Sequence, residues 1–459
     1  MENLGVRVNN RLHVAVIGGG WAGCAAAAEL TGAGHRVVLL EASAELGGRA
    51  RRLVLELAGQ DHVLDNGQHL LIGAYSATAG LFARTGVDLD AAVERQPFQI
   101  IYPDGLRLCA ARLPAPWHLA VATLTARRLP WTDRIALAKF LPRARALAWT
   151  VAPDRAADAW LRQLGQTPRL IERLWRPLTL AALNTPLAEA SAQMLAAVLR
   201  DSLGAHAGAS EMWLPRADLS ALLPDAVERM VRARGGEVRR HHRVDLARGS
   251  ERGWSLAIRS GGDHASIDVD AVVYAAPAAY LQRIFGLHTE AMRSQIRMIE
   301  RFRYEPITTI YLKYAPAEPR LPPLIHAIAE DPKRRHYGQW VFNRGALDAG
   351  NAGVLALVIS TGGTHEEPTL DALCGAAAAQ LSELYGLPPP RATRAVIERR
   401  ATLACVPDLE RPATSTQLPR VALAGDWTAS DYPCTLETAV RSGLAAARWI
   451  DGEPIADRG

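Results

Sequence analysis

Short apolar runs punctuate the chain at its two ends and in the middle. Residues 13–18, His-Val-Ala-Val-Ile-Gly, are apolar, rich in β-branched side chains and closed by glycine. A run without polar alternation predicts a strand buried on both faces of a parallel sheet. An Ala-rich segment follows to about Leu30 and reads as a helix, stopped by Gly32 and Gly34. Residues 36–41, Arg-Val-Val-Leu-Leu-Glu, repeat the buried-strand pattern and end in an acid. Residues 225–244 read as a helix, a Gly235-Gly236 stop, and one strand from Val238 through Val244. Residues 267–277 end in Ala-Val-Val-Tyr-Ala-Ala-Pro, a further buried strand with a proline stop. Residues 421–426, Val-Ala-Leu-Ala-Gly-Asp, predict a last buried strand, and a helix opens near Thr435-Leu436-Glu437. Residues 305–314, 337–343 and 353–359 are strand-like and predict an antiparallel sheet.

The first connection carries specific chemistry. Gly18-Gly19-Gly20-Trp21-Ala22-Gly23 joins the first strand to the first helix. Gly18 suits a tight turn, Gly20 a close backbone approach to a pyrophosphate, and Gly23 close helix–strand packing. The helix N-terminus offers unpaired N–H groups to phosphate. Glu41, followed by Ala42, lies 23 residues after Gly18, where an acid meets a ribose hydroxyl. An acid there favours an unphosphorylated ribose, hence FAD or NAD.

The continuation separates the two. Glu41 is followed, after Ala-Ser-Ala-Glu-Leu, by Gly47-Gly48-Arg49. This resembles the extended FAD fingerprint of the amine oxidase and phytoene desaturase superfamily. The resemblance implies that the Gly-Gly-Arg loop runs along the pyrophosphate and that Arg49 offsets its charge. It implies likewise that Asp426, after Gly425, bonds the ribityl or pyrophosphate region. The helix opened by Thr435 and Leu436 would then face the flavin pyrimidine edge, its dipole favouring the anionic reduced flavin. Val244 would contact the adenine through its backbone.

The fold expected is thus α/β: a Rossmann-like FAD-binding domain of the glutathione-reductase type, with an α+β substrate domain inserted discontinuously. We place the FAD-binding domain at 1–85, 205–290 and 405–459, and the substrate domain at 86–204 and 291–404.

Further motifs narrow the resemblance. Asp65-Asn-Gly67-Gln68-His69-Leu-Leu-Ile-Gly-Ala-Tyr75 is unusual for the superfamily at large. So are Leu174-Trp175-Arg176-Pro177 with Ala182-Leu183-Asn184-Thr185-Pro186, and Gly425-Asp426-Trp427-Thr428 leading to Tyr432-Pro433. Together, over about residues 12–450, they resemble the squalene-associated FAD-dependent desaturases, also called hydroxysqualene dehydroxylases, of bacterial hopanoid biosynthesis. That resemblance implies a reduction. An allylic hydroxyl leaves as water and reduced FAD delivers hydride from N5, giving squalene; the flavin supplies the chemistry and the protein orients and desolvates. A proton donor is then needed near the leaving oxygen. His69 is the first choice, because an imidazolium donates near neutral pH. Asp65, Asp431 and Tyr432 are the others, although Asp65 also suits a loop cap. Gln68 and His69 are expected beside the isoalloxazine. Two other flavoenzyme readings share the motifs: a squalene or carotenoid desaturase, and an amine oxidase in which Lys313 serves as a flavin-proximal lysine. A flavin-binding escort of prenyl-transfer enzymes, without turnover, is a third.

Charge adds a question of place. The net charge is +5, with 52 basic and 47 acidic residues. Residues 105–150 alone carry +7, leaving −2 for the rest. That segment also holds Trp117, Trp131, Phe140 and Trp149, and its Leu137, Phe140, Leu141, Ala144, Leu147 and Ala148 recur at helical spacing. Pro142 predicts a kink or a helix start. The stripe fits either an anionic membrane surface, from which a C30 isoprenoid substrate would enter, or the protein core. Five scattered cysteines without a C-x-x-C pair argue against a disulfide framework or zinc site. No leader or apolar run of about 20 residues is visible. We therefore expect a cytoplasmic protein, peripheral on the inner membrane face, holding FAD non-covalently and no metal. It takes electrons from a donor the sequence does not identify, with upstream prenyl-transfer enzymes as neighbours and no nucleic acid partner.

Overall fold

The computed structural model describes residues 11–452 except 319, 323 and 362–368. A five-stranded parallel sheet forms its first layer. The order across it is Glu237–Arg239, Arg36–Leu40, His13–Ile17, Ala271–Tyr274, Val421–Leu423. Val14 lies opposite Val37 on one side and Ala271 on the other. Every residue of the run Val14–Ile17 is buried, as a strand with neighbours on both edges and cover on both faces requires.

Two helices cross on one face of this sheet. Trp21–Gly32 is nearly all small and buried, and Leu436–Ile450 packs directly over it. The crossing depends on glycine. A Cβ on Gly443 would lie 2.1 Å from the Ala22 carbonyl oxygen, and one on Gly23 would lie 1.9 Å from that of Gly18. The first helix is thus pinned between the strand-to-helix turn beneath it and the C-terminal helix above.

The segment after Gly236 differs from the single strand expected. Glu237–Arg239 ends the parallel sheet, a turn follows, and Arg243–Ser250 begins a separate antiparallel meander with Gly253–Ser260 and Asp263–Val269. His241 takes a positive φ of 59° at that turn. Apolar content alone did not reveal the break, because both pieces supply buried valines.

A second, five-stranded antiparallel sheet runs in the order Ile325–Ala327, Trp340–Asn343, Val354–Ser360, Tyr304–Lys313, Ala392–Leu403. Its two faces separate by alternation. Val341, Leu357 and Ile359 pack with the helix Leu370–Tyr385 in a dry core. Trp340, Phe342, Val358 and Ser360 face the other way, into a cavity. The edge strand Ala392–Leu403 was missed in the sequence because Arg394, Arg399 and Arg400 interrupt its apolar positions.

The helices of residues 117–201 close the cavity. Pro177 lacks an N–H, and the chain accommodates it with one widened turn over Ile171–Trp175, where Arg176 N–H bonds the Ile171 carbonyl. The helix then continues as Arg176–Leu183 and stops at Asn184 in left-handed conformation. This explains the spacing of the Leu-Trp-Arg-Pro and Ala-Leu-Asn-Thr-Pro motifs: they shape one bent helix. In the basic segment, Phe140 and Ala144 of the expected stripe point inward. Phe140 meets Trp149, Trp160 and Trp175 at ring distances of 4.4–6.4 Å. Most of that stripe therefore belongs to the core, and Pro142 sits in the first turn of the helix Phe140–Ala146.

Candidate active site

A cavity of about 700 Å³ runs between the parallel sheet and the antiparallel sheet. Its first end is polar and built from distant parts of the chain. Gly18, Gly20, Trp21 and Ala22 supply the strand-to-helix turn, and Gly47 pairs with Gly20 as a short parallel bridge. The first helix has no side-chain cap, so its leading N–H groups face the cavity unpaired. Glu41 Oε2 accepts from Gly19 N at 2.7 Å, and Oε1 accepts from Ser43. Its carboxylate therefore braces the turn while keeping lone pairs for a ribose hydroxyl.

The loops on either side of this turn are tied together. Arg49 Nη2 donates to Asp426 Oδ1 at 2.5 Å, and Nη1 donates to the Ala401 carbonyl at 2.6 Å. Gly425 N donates to Ser442 Oγ, which locks the Gly-Asp turn onto the C-terminal helix. Thr435 caps that helix through Thr438 N, and Thr435 and Leu436 line the cavity. Glu437 is buried and does something the sequence did not signal. Its carboxylate accepts from Ala77 N, Thr78 N and Thr78 Oγ1, capping the helix Ser76–Arg84 from another part of the chain. Arg441 balances its charge at 2.7 Å.

Gly67, Gln68 and His69 sit where the polar end meets the apolar one. Thr309 Oγ1 accepts from Gln68 N, anchoring the loop to the antiparallel sheet. His69 Nδ1 lies 2.7 Å from the Gly67 carbonyl, so it carries the proton and donates it there. Burial holds His69 below the usual imidazole range, with Arg49 acting in the same direction. The ring is thus neutral and presents the lone pair of Nε2. This differs from the expected imidazolium: the one ring proton is held by the Gly67 carbonyl, and the nitrogen left free, Nε2, is an acceptor.

The remaining expected residues divide cleanly. Tyr432 is on the cavity wall. Asp431 is exposed and off it. Asp65 is buried beneath the loop and off the cavity; its Oδ1 accepts from Leu219 N at 2.8 Å, on the helix Leu219–Leu222, and not from its own loop. Gly23 lies under the turn, Ala42 is exposed, and Val244 is buried in the meander; none of the three lines the cavity. Lys313 is at the far end of its strand, donating to the Ala352 carbonyl at 2.7 Å, away from the cavity. Cys434 does line it, but its hydrogen bond to Cys405 and burial push its thiol well up, which disfavours the thiolate.

Sequence reasoning missed Tyr304 and Asn184. Tyr304 opens the long central strand, lines the cavity, and lies near Arg49 and Asp426. Its hydroxyl has no hydrogen-bond partner among the described residues, and burial pushes it up to about 12. Asn184 bonds Thr402 Oγ1 and accepts from Thr361 N, joining the bent helix to the sheet. The far end of the cavity is apolar, walled by Leu178, Leu180, Leu195, Leu199, Trp340 and Phe342.

The residues present fit a flavin dinucleotide: open glycines beside a bare helix terminus, an acid after the second strand, and an Arg–Asp tie between the two loops. A nucleotide cradle opening on an apolar chamber defines an FAD-dependent oxidoreductase. The family model described as flavin containing amine oxidoreductase matches residues 21–450. Hydroxysqualene dehydroxylase of Rhodopseudomonas palustris is 31% identical over 454 residues, covering 95% of this chain and 97% of that protein. Zeta-carotene desaturase of Synechocystis is 23% identical, covering 96% and 97%. An oxidoreductase structure from Methanosarcina mazei matches with a TM-score of 0.71 at 15% identity, covering 94% of this chain and 99% of that one. The chain belongs to the flavin-containing amine oxidoreductases and, within them, to the hydroxysqualene dehydroxylase family.

Proposed function

We propose that this chain converts an allylic hydroxysqualene to squalene with loss of water, the activity for which its relatives in R. palustris and Sinorhizobium fredii are named. The observation that carries the reading is the cavity itself: a nucleotide cradle at one end, and at the other an apolar wall suited to a C30 hydrocarbon. FAD, when bound and reduced, supplies the hydride. The chain's own groups supply the rest. The apolar wall excludes water and holds the allylic carbon. Tyr304 lines the cavity near the cradle, and its hydroxyl has no hydrogen-bond partner among the described residues. We assign it the proton that leaves with the hydroxyl as water. Neutral His69 accepts a hydrogen bond through Nε2 and orients what lies at the junction.

One observation favours a second reading. The carotene desaturase similarity spans nearly the whole chain, and the same cavity would accept a polyene for oxidation. Residue types beside a flavin do not set reaction direction; the redox partner does. Anaerobic chemistry separates the two. The flavoprotein is reduced chemically, hydroxysqualene is added, and the lipid is extracted. Reoxidation with stoichiometric squalene is the result expected. No reoxidation, together with bleaching of the oxidised enzyme by squalene or a carotenoid precursor, overturns the reading in favour of a desaturase.

A further inference from the structure

Large apolar side chains gather on the outside of one small region. The helix Trp117–Thr125 turns Trp117 and Leu124 to solvent, seven residues apart and therefore on one face. The helix Trp131–Ala138 turns out Trp131 and Ile135, spaced i and i+4. Trp117 is 64% exposed and Trp131 65%. The two faces adjoin: Arg134 stacks on the Trp131 ring at 4.6 Å and donates to the carbonyls of Leu124 and Ala126. Leu113, exposed just before the first helix, extends the patch. Isolated exposed apolar residues need no explanation, but a cluster with two tryptophans does.

The exposed charge that residues 105–150 contribute has one sign. The side chains of Arg112, Arg127 and Lys139 are exposed and make no hydrogen bond or ion pair among the described residues. Asp133, the sole acid of residues 105–150, is buried and accepts from Thr167 Oγ1. Trp and Arg side chains have apolar bodies and polar tips, which suits the headgroup region.

Backbone contacts link the patch to the cavity wall through intervening segments, beginning with the bridge between Arg127 and Arg107. Arg145 Nη2 donates to the Gly204 carbonyl, next to cavity-lining Ser202 and Leu203. The strand Arg107–Cys109 pairs with Gln99–Ile101, whose Gln99 and Ile100 line the cavity.

We propose that the outer face of these two helices docks on an anionic lipid bilayer. It penetrates with Trp117, Leu124, Trp131 and Ile135, while Arg112, Arg127 and Lys139 meet the headgroups. The proposal does not depend on the direction of the flavin reaction. It sets the membrane on the side of the molecule from which the paired strands reach the cavity wall at Gln99 and Ile100.

Flotation of the holoprotein tests it, with phosphatidylglycerol–phosphatidylcholine vesicles against pure phosphatidylcholine vesicles at low salt. The native protein is expected to float with the anionic vesicles, and salt is expected to release it. The pair Trp117→Ser and Trp131→Ser is expected to lower partitioning about tenfold or more. The set Arg112→Glu, Arg127→Glu and Lys139→Glu touches only unpartnered exposed side chains and so spares folding. It is expected to abolish the preference for anionic vesicles, with each residue worth about fivefold. Equal flotation with both vesicle types, or flotation unchanged by either set, overturns the proposal. So does conversion of a dimer to a monomer by the Trp pair with vesicle binding retained, which would assign the patch to a second copy of this chain.

Discussion

Arg49 and Asp426, 377 residues apart in sequence, meet at 2.5 Å at the polar end of the cavity. The pair joins the Gly-Gly-Arg loop to the Gly-Asp turn, so each loop holds the other at the cofactor. Asp426 is nearly buried there, and a lone buried carboxylate would be costly. Arg49→Ala is therefore expected to weaken FAD binding by about tenfold to a hundredfold. Asp426→Asn, which keeps shape and loses charge, is expected to cost less. Titration of deflavinated protein with FAD, followed by fluorescence, measures both. Undiminished affinity in Arg49→Ala would show that the pair braces the loops without serving the cofactor.

Tyr304 and His69 make opposite predictions. Tyr304→Phe removes the unpartnered hydroxyl and leaves the ring, so flavin content is expected to hold while dehydroxylation slows by about a hundredfold or more. His69→Ala removes an acceptor and is expected to slow it about tenfold, with FAD retained. Single-turnover reoxidation of the reduced flavin by hydroxysqualene gives both rates. A larger loss for His69→Ala than for Tyr304→Phe would return the acid role to the imidazole.

Asp65 gives the fold a pH dependence. Burial pushes its carboxyl up to about 7, against the Leu219 N–H and Arg344, which pull it down. A carboxyl that binds its proton more tightly in the folded chain than in the unfolded one stabilises the fold at low pH. That contribution is lost as pH rises from about 4 through about 7. Asp65→Asn keeps an acceptor for Leu219 N and removes the charge. Its stability is expected to match the parent near pH 5 and to exceed it by about 2 kcal/mol near pH 8. Denaturant melts at the two pH values check this, and parallel curves would refute it.

Lys313 separates the amine oxidase reading from the others. Its ammonium is committed to the Ala352 carbonyl, away from the cavity, and burial lowers its pKa. Lys313→Met is expected to leave the rate of flavin reoxidation within about twofold, because it touches nothing that reacts. A large kinetic effect with unchanged stability would place this lysine at the flavin after all.

Much of the cradle was legible because its chemistry is local. Gly18 to Gly23, Glu41 and Gly47 to Arg49 are neighbours in sequence, and each spacing follows from one turn meeting one phosphate. The Gly-Asp turn was legible because it ends a buried strand. What stayed hidden depends on long-range contacts. Glu437 reads as an ordinary first-turn acid, yet it caps a helix 360 residues earlier. Tyr304 lies one residue before the strand expected at 305–314, and only the tertiary fold brings it to the cavity. The His69 proton was misjudged because its state depends on a carbonyl two residues back and on burial. The basic segment was read as a single stripe at 137–148. Leu137, Phe140, Leu141 and Ala144 turn toward the core, Leu147 and Ala148 are exposed, and the exposed tryptophans lie on the two helices before it.

The ties that close the cradle also set a schedule for its making. The residues that announce a dinucleotide site leave the ribosome first, yet Arg49 waits for Asp426 and the helix at Ser76 waits for Glu437. A nascent chain carries its signature through almost the whole of translation before the loops that grip the cofactor can lock. The complete cradle is therefore a late product of translation. A chain halted before residue 426 would keep the fingerprint glycines but lack the partner that fixes their loop.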